Sequence, residues 1–262
     1  MNEENYYHDD SINLYYQKLL KINELREVQK IHQKSIFFIP EKNKKNSSDT
    51  TLKSYLREVE RKIPKFEDYE VKISLGDNNI QNQGSTRIFS SSLRFEEIKK
   101  VMKNSFGIDK KNMHRKFPSA GGLFPIYVVL IQLKDISSLK RGAYYYDGIE
   151  NTLLKITDLS EKINSQKIED SLSPMDSPFS DTVIIYIADV EKELFKYKSA
   201  GYRHICIETG MMAQELRNSL LLVQNSGDIS MSGFRHNLLC KFLNIPVNQY
   251  IIPMIQYIGK KS

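Results

Sequence analysis

The sequence predicts an α+β fold, and three observations carry that reading. Runs rich in β-branched and aromatic residues recur at strand length, at 126–133, 182–188 and 250–259. Segments with apolar residues every third or fourth position alternate with them along the same chain. An Asp147-Gly148 pair sits between two alternating stretches, a hairpin signal. No internal repeat is visible.

Taken in order, Leu14, Tyr15, Leu19, Ile22, Leu25, Val28 and Ile31 form one stripe, predicting an amphipathic helix over 11–34 that Asp10 or Ser11 can cap. Residues 41–51 are polar and lack large apolar groups, so they predict a loop. A short helix at 52–60 and an extended piece at 69–75 follow. Nothing in this first part looks chemical, and 1–80 reads as a helical arm or docking region. A helix over 93–105 buries Phe95, Ile98, Val101 and Met102. The strand at 126–133 comes after Pro118, Ser119, Ala120, Gly121 and Gly122. The hairpin spans 142–156, its tyrosines packing across the strands. A helix at 160–171, a breaker-rich loop at 173–180 and the strand at 182–188 come next. Lys196 and Tyr197 bridge that strand to a helix predicted over 203–224, whose second half is apolar nearly all round and which Gly227 ends. Residues 229–234 read as a small-residue loop, 237–243 as a capping helix and 250–259 as a closing strand, with Lys260 and Lys261 just beyond.

The totals exclude several classes. The 262 residues, 40% apolar and 27% charged, suit a folded domain with a large core. Apolar runs fall far short of the roughly 20 residues that span a bilayer, and the acidic start lacks a secretion signal. The net charge of +6 comes from scattered lysines, not from a basic stripe interleaved with aromatics, which argues against nucleic acid. Cys206 and Cys240 have no metal-ligand spacing; both are expected reduced and buried, in a cytoplasmic protein that holds no metal.

Two stretches invite chemistry. Gly121 and Gly122 let a backbone approach a ligand with no Cβ in the way, and free amides there can bind a flat heterocycle or an anion. Read alone, the stretch is equally a turn before a core strand. Ser85, Thr86 and Arg87 gather hydroxyls and a guanidinium suited to a phosphate monoester, although such triplets also occur in solvated turns.

The order of these pieces adds to each of them. Arg115, Pro118-Ser119-Ala120-Gly121-Gly122, the Gly142-Ala143-Tyr144-Tyr145-Tyr146-Asp147 hairpin, Lys196-Tyr197, Gly201-Tyr202-Arg203, Glu208 and Gly210 through Ala213-Gln214, and Gly233-Phe234 together resemble the SagB/McbC-type dehydrogenases of the nitroreductase-like flavoprotein superfamily. Tyr7 to Ser11 and Lys53 to Tyr55 resemble that family's N-terminal region. The resemblance implies a nitroreductase-like domain over 81–262, a central antiparallel sheet surrounded by helices. It implies an FMN enzyme that oxidises thiazoline or oxazoline rings to thiazoles or oxazoles in a ribosomally made peptide. It also implies a homodimer working beside a cyclodehydratase.

Carried across residue by residue, Ser85, Arg87 and Lys260 would hold the FMN phosphate. Pro118, Ser119, Ala120 and Gly121 would line the cofactor from the opposite subunit. Met231, Ser232 and Gly233 would face the flavin near N5, and Lys196 and Tyr197 would be catalytic. Three positions depart from the family pattern: Gln83 replaces an arginine, Met211 a histidine and Glu215 an asparagine. Oxidising an azoline removes a proton from Cα and a hydride from Cβ, so a base is needed, and a lysine serves when its surroundings lower its pKa. Two other readings stay open: an NAD(P)H-dependent nitroreductase or flavin reductase, and a non-catalytic scaffold of a peptide-modifying complex.

Overall fold

Strands β2 (Ile126–Gln132) and β5 (Thr182–Asp189) are buried on both faces, which is why they read as continuous apolar runs. They pair antiparallel along their whole lengths, from Ile126 against Ala188 to Gln132 against Thr182. The computed structural model describes residues 22–36, 73, 74, 76, 84–160, 162–173 and 178–262. The chain divides into two compact units, 1–38 with 85–262 and 39–84. Every element below belongs to the first. The expected helix at 52–60 and the family-like residues near Tyr7 and Lys53 lie outside the described residues.

In chain order the elements are α1 (Ile22–Ser35), β1 (Phe89–Ser91), α2 (Phe95–Phe106), β2, β3 (Gly142–Asp147), β4 (Thr152–Asp158), α3 (Lys162–Leu172), β5, α4 (Val190–Tyr197), α5 (Ala200–Leu220), β6 (Ser226–Met231), α6 (His236–Phe242) and β7 (Tyr250–Lys261). The strands form one antiparallel sheet in the order β1-β7-β5-β2-β3-β4, with β6 also paired to β7.

Alternate residues of each central strand serve opposite faces. Val128, Leu130, Ile184 and Tyr186 pack with α2 and α5 (Ile98, Val101, Met212, Leu216). Val129, Ile131, Val183 and Ile185 pack with α3 and α6 (Ile168, Leu172, Leu239, Cys240). Burying a side chain such as Leu130 or Ile185 contributes roughly 1.5–3 kcal/mol, so these two layers hold most of the fold. A third cluster at one end of the sheet joins Val28 of α1 to Val190 and Leu194 of α4, Ile205 of α5 and Ile251 of β7.

Most sequence expectations hold. The hairpin turns where expected, with the Asp147 carboxylate accepting from the amides of Ile149 and Glu150. Tyr144 and Tyr146 are buried and hydrogen-bond within the hairpin, to the Lys140 carbonyl and the Asn151 side chain. Four refinements concern the region after β5. The segment that bridges β5 to α5, with Lys196 and Tyr197 in it, is itself a helix, α4. The long helix α5 starts at Ala200 and stops at Leu220, short of Gln224. Its second half is not apolar all round, because Gln214 and Asn218 face solvent. Gly227 does not cap it: Gly227 lies in β6, and that strand takes up the expected small-residue loop as far as Met231. A Cβ on Gly227 would collide with the Thr86 hydroxyl, so glycine there serves a close crossing of two chain segments. Cys206 is exposed, contrary to expectation, while Cys240 is buried.

A four-residue polar network ties α5 to the sheet. Arg217 makes a two-pronged bond to Asp228 at 2.8 and 2.9 Å, and Asp228 is 1% exposed. Gln256 donates to Asp228 at 2.8 Å and accepts from the Tyr186 hydroxyl at 2.6 Å. Just past the end of α5, Lys100 and Lys260 donate to the Leu222 and Gln224 carbonyls, which places two cations near the helix's negative dipole end.

Candidate active site

The best-formed candidate site lies where two short stretches meet. Asp189 ends β5, and its carboxylate accepts from the Lys192 amide, so α4 starts with no intervening loop. Val190 and Leu194 anchor α4 in the third cluster, which leaves Lys196 exposed and Tyr197 half-buried on the other side. Opposite them is the turn 118–122. The Ser119 hydroxyl accepts from the Phe124 amide at 2.8 Å and closes it. Gly121 and Gly122 adopt φ of 58° and 70°, the left-handed region that glycine enters without penalty. The Arg115 guanidinium lies 3.7 Å from the Phe124 ring centroid and braces the same turn.

The meeting point is Gly121. A Cβ there would fall 2.5 Å from the Tyr197 hydroxyl and closer still to the Lys196 ammonium. The amine, the phenol and a bare stretch of backbone thus share one small space within a single chain. Lys196 also lies 5.4 Å from the centroid of the Tyr197 ring.

Two buried acids stand behind this pair. Glu193, on α4, is wholly buried, and its Oε2 is 3.5 Å from Nδ1 of His204 on α5. Burial raises its pKa, and His204 and Lys196 partly offset that rise. Glu208, 2% exposed, makes no hydrogen bond of ordinary geometry. Burial pushes its pKa up to about 7; the nearby Ser119 hydroxyl opposes that rise, the charge of Glu193 adds to it, and Arg115 and Lys192 pull it back. Neither Glu193 nor His204 is among the residues that the sequence motifs single out. The signal was available, since Glu193 stands three and four residues before Lys196 and Tyr197 and so shares their helix face.

Glu208 makes stability depend on pH in a predictable direction. Its folded-state pKa is above its unfolded value, so the native chain binds more protons between about pH 4.5 and 7 and loses stability as pH rises through that window. Glu208→Gln is expected to gain thermal stability over the parent at pH 8 relative to pH 5. Melting curves that stay parallel across that range would remove Glu208 from this account.

The remaining candidates are spread along β6. β6 runs from Ser226, paired with Lys260, to Met231, paired with Ile255. Met231, Ser232 and Gly233 therefore lie at the same end as Gly121, Lys196 and Tyr197, but β7 and β5 stand between β6 and β2. At roughly 4.8 Å per strand β6 is about 14 Å sideways from β2. Lys260 lies at the other end, about 17 Å along β6 by strand rise, while Ser85 and Arg87 flank Thr86, whose amide donates to the Asp228 carbonyl partway along β6. Ser85 and Arg87 are exposed, and Arg87 has no ion pair among the described residues. Lys260 donates to Glu97 at 2.8 Å and to the Gln224 carbonyl at 2.8 Å, which leaves one of its three N–H bonds for an anion. Burial would raise Glu97, yet its bonds from Arg94 and Lys260 hold its pKa down at about 2.

Among the described residues no group of three or more His, Cys, Asp or Glu side chains is placed to hold a metal ion. No helix among them is long and apolar enough to cross a membrane. Of the departures from the family pattern, Met211 packs against the α2–α5 core and Glu215 accepts from Asn218. Gln83 lies outside the described residues.

No protein-family model matches the chain. It is similar to the microcin B17-processing protein McbC of Escherichia coli, 27% identical over 219 residues that cover 75% of this chain and 78% of McbC. It is also 24% identical over 189 residues to MJ1384 of Methanocaldococcus jannaschii, described as a nitroreductase, covering 71% of this chain and 90% of that one. Among solved structures, a chain of the E. coli microcin synthetase McbBCD complex with truncated pro-MccB17 bound superposes with a TM-score of 0.77. The match covers 95% of this chain and 97% of that one at 21% identity. A nitroreductase-type structure from Ralstonia eutropha gives a TM-score of 0.56 over 72% of this chain and 88% of that one, at 14% identity. The fold is nitroreductase-like, and the resemblance to McbC-type proteins read from the motifs holds along most of the chain.

Proposed function

We propose that this chain is an FMN-dependent dehydrogenase that oxidises thiazoline or oxazoline rings to thiazoles or oxazoles in a ribosomally made precursor peptide. It acts as a homodimer beside a cyclodehydratase. The observation that supports this most directly is the meeting of Lys196 and Tyr197 at Gly121, in a chain that matches McbC over three quarters of its length.

The residues present suit FMN. The bare backbone at Gly121 is a cradle that any Cβ would fill, and it faces an amine and a phenol. Ser85 and Arg87 are free to bind a phosphate, with Lys260 contributing its remaining N–H, while Met231, Ser232 and Gly233 offer backbone for the ring. By strand spacing β6 stands about 14 Å from β2, the strand that the Pro118–Gly121 turn leads into. Two chains, each giving one of these stretches to a shared ring, would bridge that span, and this supports the dimer. Bound FMN supplies the two-electron oxidising centre.

The chain's own residues supply the rest. Lys196 takes the proton from the azoline Cα, next to the imine and carbonyl that acidify it. Tyr197, 2.5 Å from the Cβ position of Gly121, donates a hydrogen bond to charge that develops on the ring.

Lys196→Ala is expected to keep its fold and its yellow cofactor while azole formation falls at least about 100-fold, the usual contribution of a general base. The measurement is the two-hydrogen mass loss of a cyclised peptide. Arg87→Ala is expected to yield a colourless preparation instead. Unchanged turnover in Lys196→Ala removes that residue from the reaction. Rapid bleaching by NADPH, with none by an azoline peptide, would make the chain a reductase of the same fold.

A further inference from the structure

Beneath Lys196 and Tyr197 the structure holds a carboxyl and an imidazole that the reaction as described does not use. Glu193 is wholly buried, and neither carboxylate oxygen has a hydrogen-bond partner of ordinary geometry. Nδ1 of His204 lies 3.5 Å from its Oε2. The His204 ring packs against the Tyr197 ring edge to face, with centroids 4.6 Å apart and planes at 82°. The Tyr197 hydroxyl, with the Lys196 amine, reaches Gly121. Carboxyl, imidazole, phenol and turn thus form one connected column.

The column is built by close helix packing. Gly201 near the start of α5 lies on the backbone of Glu193, where a Cβ would come within 3.0 Å of the Glu193 carbonyl carbon. This fixes how deep α5 sits on α4, and therefore where His204 sits beneath Tyr197. A buried carboxyl without full hydrogen bonding costs stability, and an apolar residue would pack there at no such cost. The charged and titratable groups around it are Lys196 on α4 and His204 and Glu208 on α5, with Arg115 and Lys192 beyond Glu208.

We propose that Glu193 and His204 are positioning residues for Tyr197: the carboxyl holds the imidazole, and the imidazole holds the phenol ring so that its hydroxyl stays over Gly121. The catalytic part of this inference rests on the role given to Tyr197 above; the geometric part does not. Groups that orient a working side chain from behind commonly carry about 10- to 100-fold of activity.

The test uses the full-length, flavin-loaded protein labelled with 13C at the tyrosine ζ carbon, the Tyr197 signal being assigned by its loss in Tyr197→Phe. In Glu193→Gln and in His204→Leu that signal is expected to move, with no substrate present. In Glu193→Gln, kcat for azole formation is expected to fall about tenfold or more, with KM, flavin content and melting temperature close to the parent's. A Tyr197 signal unmoved in both variants overturns the proposal. So does a moved signal with unchanged kcat, which would make the column structural only. A parent that binds flavin yet oxidises no azoline defeats the proposed function instead, and the tyrosine signal still decides the geometry. If His204→Leu does not fold, the near-isosteric Glu193→Gln decides alone.

Discussion

Gly121→Ala is expected to abolish most azole formation while the protein stays folded. The added methyl would stand where the Lys196 ammonium and Tyr197 hydroxyl now lie. Both are ends of side chains, so they are pushed aside and the core is untouched. The backbone cost of a side chain at φ 58° is on the order of 1–2 kcal/mol, a shift of a few degrees in melting temperature. Activity suffers far more, because displacing reacting groups by about 1 Å can cost about 100-fold. Gly122 provides the control: its φ is 70°, but a Cβ there meets nothing within 4 Å. Gly122→Ala should carry the same backbone strain and keep most of the activity. Equal turnover in the two variants would show that the turn merely adjoins the site.

Arg217→Ala is expected to cause the largest loss of stability of any single change discussed. It strips a buried carboxylate, Asp228, of its two-pronged partner and leaves only Gln256 to satisfy it. Removing one member of a buried pair costs about 3–5 kcal/mol; with Arg217 about a quarter exposed, about 3 kcal/mol is expected. At roughly 2–4 °C per kcal/mol for a domain of this size, the melting temperature should fall by about 10 °C. Adding Asp228→Asn to the variant should recover part of that loss, because the orphaned charge is then gone. A double variant no more stable than Arg217→Ala would show that the loss comes from packing of the arginine stem.

Strands buried on both faces and helices with one apolar stripe announced themselves through their spacing, and so β2, β5, β7 and α2 were legible in the sequence. β6 was not. Its residues Ser226, Gly227, Asp228, Ile229, Ser230 and Met231 show no alternation, because its polar members are buried against partners distant in sequence. Ser226 donates to the Leu220 and Val223 carbonyls, Asp228 takes Arg217, and Gly227 accommodates Thr86. The end of α5 was misread for a related reason. Leu221 and Leu222 continue the apolar run, but they are exposed, at 68% and 50%. Cys206 was expected to be buried from the habit of its residue type; helix rotation decides burial, and Cys206 lies on the outer side of α5. Within the site, Lys196 and Tyr197 were found through family resemblance. Glu193 could have been read from its helical spacing to Lys196 and Tyr197, but His204 and the burial of Glu208 needed the packing of α4 on α5, which no local pattern encodes.

The two walls of the Gly121 space differ in what they are built on. α4 springs from the last residue of a fully buried strand, so Lys196 and Tyr197 inherit the rigidity of the sheet and have no lever on which to swing. The facing wall is a short turn held by the Ser119 hydroxyl, two backbone hydrogen bonds and the Arg115–Phe124 stack. A change in the sheet is therefore transmitted directly to the amine and the phenol, whereas the backbone facing them answers to its own short loop.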